Sequence, residues 1–167
     1  LGTVEVDWDA LRSVLHLPGI AVEDAAFAQE HSLEVHLPFI QRVLEGAGIV
    51  PLLVGDAPAA LVSEAVEALW GGPETLIVVS SDLSHFHDYD TARRLDGATA
   101  AHIETLRPDR LDGQWACGHR ALAGVLDQAR RRDLRATALD VRNSGDTASG
   151  KDRVVGYGAA AMEYAGG

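Results

Sequence analysis

The sequence predicts an α/β fold, a mixed and largely buried sheet with helices on both faces, and three observations carry that expectation. Apolar runs of strand length alternate with segments of helical period along the whole chain. One run, Leu76-Ile77-Val78-Val79, is apolar at every position, as an interior strand covered on both faces must be. With 167 residues, 47% of them hydrophobic, the chain is one ordinary domain that can fill a core.

Taken in order, Leu1 to Asp7 reads as an extended piece already under way, Val4 and Val6 alternating with Glu5 and Asp7, so that position 1 reads as a cut. Asp9 to Leu15 is a short helix closed by Pro18-Gly19. Beyond the acidic connector Glu23-Asp24, the residues Leu33, Leu37, Ile40 and Leu44 form one helical stripe that ends at Gly46 to Gly48. Ile49 to Val54 reads as a strand, although Pro51 cannot donate to a ladder and places it at an edge or a strand start. Ala57 to Leu69 is helical and stops at Gly71-Gly72-Pro73. Leu76 to Val79 follows as the interior strand, leading into Ser80-Ser81-Asp82-Leu83-Ser84-His85. Thr91 to Leu106 is helical, Cys117 to Arg132 is a loop followed by a helix, and Leu134 to Val141 and Arg153 to Tyr164 are strands. The stretches 143–146 and 149–152 between those strands are polar loop.

Charge and composition exclude several classes of partner. The formal net charge of -11, from 25 acidic against 14 basic residues, disfavours nucleic acid and anionic membrane, both of which reward a positive surface. The one dense basic run, Arg130-Arg131-Arg132, ends a helical segment, where the helix dipole already favours cations. Cys117 is the only cysteine, so an intrachain disulfide is impossible and a reducing, cytoplasmic setting is expected. No stretch approaches the roughly 18–20 apolar residues that span a bilayer, so no membrane association is expected.

Three stretches are dense enough in reactive groups to carry chemistry. Residues 30–36, Glu-His-Ser-Leu-Glu-Val-His, precede a helix. A cap needs only Glu30 or Ser32. His31 and His36 stand about 140° apart on a helix, so they are no one-face zinc pair. His31 and Glu34, one turn apart, can share a hydrogen bond. In the second stretch, Asp82 and His85 leave the apolar run three residues apart. If the segment turns, they face one side and the carboxylate fixes the imidazole tautomer; the alternative is that Asp82 and Ser84 only cap the following helix. The third stretch is Trp115-Ala116-Cys117-Gly118-His119, where a thiol near a helix N-terminus suits nucleophile or metal ligand, or is simply a small core residue. Ligands of α/β sheets bind beyond strand carboxyl ends, which selects residues 80–85.

In these stretches, together with Val50-Pro51-Leu52-Leu53-Val54-Gly55 and the closing Val155-Gly156-Tyr157-Gly158-Ala159-Ala160, the sequence resembles the MEMO family, whose bacterial members are labelled AmmeMemoRadiSam system protein B. The resemblance covers nearly the whole chain. It implies a fold similar to class III extradiol dioxygenases, here lacking its first strands, and a single MEMO-like domain over residues 1–167, its C-terminal portion. It also implies a site whose transition metal, iron, copper or zinc, is held by two histidines and one cysteine. Cys117 then corresponds to the cysteine ligand, Asp82 and His85 to the polar pair beside the metal, and His31, with His36, to residues lining the site. The family's two histidine ligands lie in a His-Ala-Gly and a Gly-Pro-Ser-His-His segment, and this chain contains neither. His31, His85 and His119 are the histidines available as substitutes.

Two functions from different classes follow. In one, the chain belongs to a metal-dependent, dioxygenase-like oxidoreductase in which His85 or His31 moves a proton on the substrate. In the other, the same cleft binds a peptide or small ligand without chemistry. Thiol chemistry at Cys117, with His119 or His85 as base, is a third reading.

Overall fold

A computed structural model describes residues 2–147 and 150–165; Leu1, and Ser149 of the second predicted loop, lie outside them. Helix α1 (Trp8–Arg12) starts where the Asp7 side chain accepts the Ala10 N–H at 2.9 Å. The Glu23 carboxylate caps the single turn of α2 (Asp24–Phe27) in the same way. Helix α3 (Leu37–Val43) begins late because Pro38 has no N–H to give to a preceding turn and fits only at a helix start. The predicted stripe is thereby shortened, and Leu33 lies in a turn ahead of the helix.

Helices α4 (Ala59–Ala68), α5 (Tyr89–Glu104) and α6 (His119–Arg131) are the long ones. Asp88 caps α5 by accepting the Thr91 N–H at 3.0 Å. Helix α4 lies close against α6 because Gly124 has no side chain: a Cβ there would stand 2.5 Å from Val62. Across that contact Gln128 donates to the Ser63 carbonyl at 3.0 Å and to its hydroxyl at 2.9 Å, and the hydroxyl donates to Asp127 at 2.7 Å. The basic run at the end of α6 is tied down locally. Arg131 pairs with Asp127 at 2.9 Å, and the Arg132 guanidinium stacks on Trp70, 4.1 Å from the ring centre.

The sheet has three strands in the order β1 (His85–His87), β3 (Val154–Tyr164), β2 (Leu134–Asn143), all antiparallel. Strands β2 and β3 pair from Asn143 opposite Gly156 to Leu134 opposite Tyr164, with a register shift between Ala138 and Asp140. The mixed α/β class is as the sequence predicts, and both closing strands fall where the alternation places them. The main core joins Leu83, Ile103 of α5, Ala116, Leu122 and Leu126 of α6, and Ala136 of β2. A second cluster packs Leu11 and Val14 on Ala65 of α4.

Two predicted strands do not form. Of residues 49–54, only Ile49 is bridged, to Val6 in parallel, with Asp7 N–H to Ile49 carbonyl at 2.9 Å. Residues 76–79 join no ladder, and Leu76 and Val78 are 67% and 54% exposed while Val79 packs on the core. Continuous apolarity states what a segment can bury; a strand also needs a neighbour for its N–H and C=O groups. Between residues 76–79 and β3 lies instead a cavity of about 890 Å³, lined by Ile77, Val79, Leu83, Leu122, Ala160 and Met162 among others. No helix among the described residues is long and apolar enough to cross a membrane.

Candidate functional site

The segment after Val79 is fastened to β3 before it becomes β1. Leu83 N–H donates to the Gly156 carbonyl at 2.9 Å, and Gly156 N–H donates to the Ser84 carbonyl at 2.8 Å. Two side chains flanking this fastening, Asp82 and His85, then come together, with His85 Nε2 3.4 Å from Asp82 Oδ2 and both groups partly open to solvent. The juxtaposition expected from the sequence is present, made by a chain that turns at the end of an extended segment.

Cys117 lies against the same turn. Its Sγ accepts the Asp82 N–H at 3.2 Å, and its own N–H donates to the Asp82 carbonyl at 3.3 Å. The Ser81 hydroxyl donates to the Asp82 carbonyl at 2.7 Å, accepts the Gly118 N–H at 2.9 Å and lies 3.7 Å from the sulfur. This approach requires a glycine at 118, where a Cβ would come 2.8 Å from the Ser81 Cβ and 2.9 Å from the Ser80 carbonyl. Cys117 therefore lies against the backbone of the turn that carries the Asp82–His85 pair, at the junction of the 80–85 segment with the start of α6. The thiol is exposed there. Ser81 and Gly118 are the site residues that the sequence reading missed. Their one sequence signal is a hydroxyl at the exit of the apolar run facing a glycine just ahead of a helix.

The backbone after His85 is strained. Phe86 has φ of 62°, a left-handed conformation that costs a non-glycine residue of order 1 kcal/mol or more. Its ring is 63% exposed and carries the Arg153 guanidinium 5.0 Å from its centre.

The 30–36 stretch is built differently. Glu30 accepts the backbone N–H groups of His31 and Ser32, both at 2.8 Å, and these bonds, Ser32's above all, hold its carboxyl below the usual range. His31 Nδ1 lies 3.2 Å from Glu34 Oε2, the one-turn pair expected from spacing, with both side chains exposed. His36 occupies the N-cap position of α3 without a capping bond. Among the described residues no hydrogen bond or ion pair joins His31 or His36 to Asp82, His85 or Cys117. His119 opens α6 with Nδ1 buried and unpartnered.

Tested against a transition metal, these residues do not make a centre. Cys117 is one soft donor, whereas catalytic sites of this kind usually take about three protein ligands. Among the described residues no three His, Cys, Asp or Glu side chains are grouped to hold an ion. What the arrangement does offer is an imidazole within reach of a carboxylate, on a turn whose backbone an accessible thiol contacts.

The family profile described as Memo-like protein matches residues 1–161. A MEMO1 family protein of Thermotoga maritima is 36% identical over 171 residues, covering 94% of this chain and 60% of the relative. One from Aeropyrum pernix is 34% identical over 170 residues with the same coverage, and one from Archaeoglobus fulgidus is 31% identical, covering 94% of this chain and 64% of the relative. The chain thus spans a little under two thirds of the length of the relatives it matches. A profile match over residues 1–161, together with relatives at this identity, means that the chain belongs to the Memo-like family.

Proposed function

We propose that Asp82 and His85 are the proton-transfer pair of a dioxygenase-like oxidoreductase cleft acting on a small-molecule or peptide ligand. The observation that carries this reading is the 3.4 Å Asp82–His85 contact held against Cys117. With Nε2 directed at the carboxylate, Asp82 orients the ring, and Nδ1 is left to accept a proton from a substrate O–H or N–H and later return it. Tautomer and direction follow from the hydrogen bond that Asp82 makes.

A metal in such a cleft would supply Lewis-acid or redox chemistry. Cys117 is the donor that this chain contributes, and the reading requires the further ligands to come from the part of the relatives' length that the chain does not span. His31 stands apart from the pair here, and its share in the site depends on that same part of the relatives' length.

The test uses a family-length protein reconstituted with iron(II), copper or zinc. His85→Ala and Asp82→Asn each lower turnover of an oxidisable substrate by about 10²-fold or more, and Cys117→Ser weakens metal affinity in isothermal titration. Unchanged turnover in both pair variants would sink the proton-transfer assignment. Unchanged metal affinity would remove Cys117 as a ligand.

The cavity of about 890 Å³ that Ser81 and Leu83 help to line favours a second reading. Its size suits a small ligand or an apolar segment of a peptide. Binding that survives both Asp82→Asn and His85→Ala with metal removed points to a recognition module.

A further inference from the structure

We infer that Asp96 is the positioning residue of the Asp82–His85 pair, setting it through the backbone of Ser84. This rests on the reading of that pair as the functional centre, and on features of the structure which that reading does not use.

Asp96 lies in the middle of α5 and is 1% exposed. Its Oδ1 accepts the Ser84 N–H at 2.9 Å, a buried bond between two elements. Ser84 is fully buried and sits between Leu83 and His85. On its other side the Ser84 carbonyl accepts the Gly156 N–H of β3 at 2.8 Å. Of the two residues between the members of the pair, Leu83 is held by β3 through its N–H, and Ser84 is gripped from a helix through its N–H and from the strand through its C=O. Strand β1 is only three residues long, so few ladder bonds could otherwise fix His85.

The rest of the environment shows that the carboxylate is there for placement. Asp96 Oδ2 and Ser84 Oγ are both buried without a hydrogen bond of ordinary geometry, an arrangement that burial alone penalises. Gly156 is glycine for the same reason, since a Cβ at that position would overlap the Asp96 carboxylate. Helix, strand and loop are shaped around this one side chain. A hydrophobic residue would fill the space more cheaply and would leave the Ser84 N–H unsatisfied.

The experiment reads geometry, so it does not depend on substrate or metal. In ¹⁵N-labelled protein, Asp82→Asn shifts the ring nitrogen and Hε1 signals of His85, because their contact is lost. In an Asp96→Ala background the same change moves those signals by less than half as much, the pair having already separated. Asp96→Asn, whose amide oxygen still accepts the Ser84 N–H, keeps the full response.

A full response in Asp96→Ala, or its loss in Asp96→Asn, overturns the inference. Should Asp96→Ala fail to fold, amide exchange of the parent protein decides. The Ser84 amide is protected by about 100-fold or more relative to an open loop, and rapid exchange at Ser84 defeats the proposal. If the pair variants leave turnover unchanged while the His85 response behaves as described, the positioning role stands and the catalytic reading falls.

Discussion

At Asp96, burial pushes the carboxyl above its ordinary value, and the backbone and hydroxyl of Ser84 oppose that only in part. The native state then holds the proton more tightly than the unfolded chain does. Stability is therefore lost as pH rises from the ordinary carboxylate range through the raised native value. Asp96→Asn removes this loss and keeps the Ser84 bond. In urea denaturation the asparagine variant gains on the parent as pH is raised from about 4 to 7; a stability difference that is flat with pH would contradict the shift. Asp109 has the opposite sign. The Arg107 guanidinium beside it holds its carboxyl down at about 2, so its contribution is present above the ordinary carboxylate range and fades as pH falls toward 2. Being exposed, that pair matters little.

The elements depend on close approaches that single glycines allow. Gly124 lets α6 meet α4 at Val62, and Gly118 lets the start of α6 meet Ser80 and Ser81. Gly124→Ala forces the helices apart and also stretches the Gln128–Ser63 bonds, so it costs roughly 1–3 kcal/mol in denaturant unfolding. A loss of under about 0.5 kcal/mol would mean that the interface is softer than its packing indicates. Helix starts are capped by Asp7, Glu23 and Asp88, whose carboxylates reach the first free N–H groups, a role that the apolar periodicity of the sequence does not assign them. The start of α3 was misplaced because an apolar stripe has no term for the missing N–H of Pro38.

For the whole molecule, the unpaired 76–79 segment and the cavity beside it are the main departure from a closed fold. Leu76 and Val78 are largely exposed and help to line a largely apolar space of about 890 Å³. Monomeric proteins seldom leave such a patch open. The 167-residue chain therefore binds a hydrophobic dye such as anilinonaphthalene sulfonate in its native state, and a family-length protein binds it about tenfold less if further strands close the space. Equal dye binding by both would show that the space stays open in the longer protein.

Sequence alone determined the α/β class, the two closing strands and the reactive stretches. It also allowed His31 to pair with Glu34 and, if the segment turned, Asp82 with His85, since period and three-residue spacing are local properties. Only the tertiary structure decided which of those stretches meet. Cys117 joins Asp82 across 35 residues, and Asp96 reaches Ser84 from a separate helix, because hydrogen bonds between elements depend on how the elements pack. The tertiary structure also left residues 49–54 and 76–79 largely unpaired. Apolarity records a demand for burial, and only neighbouring chain can meet it.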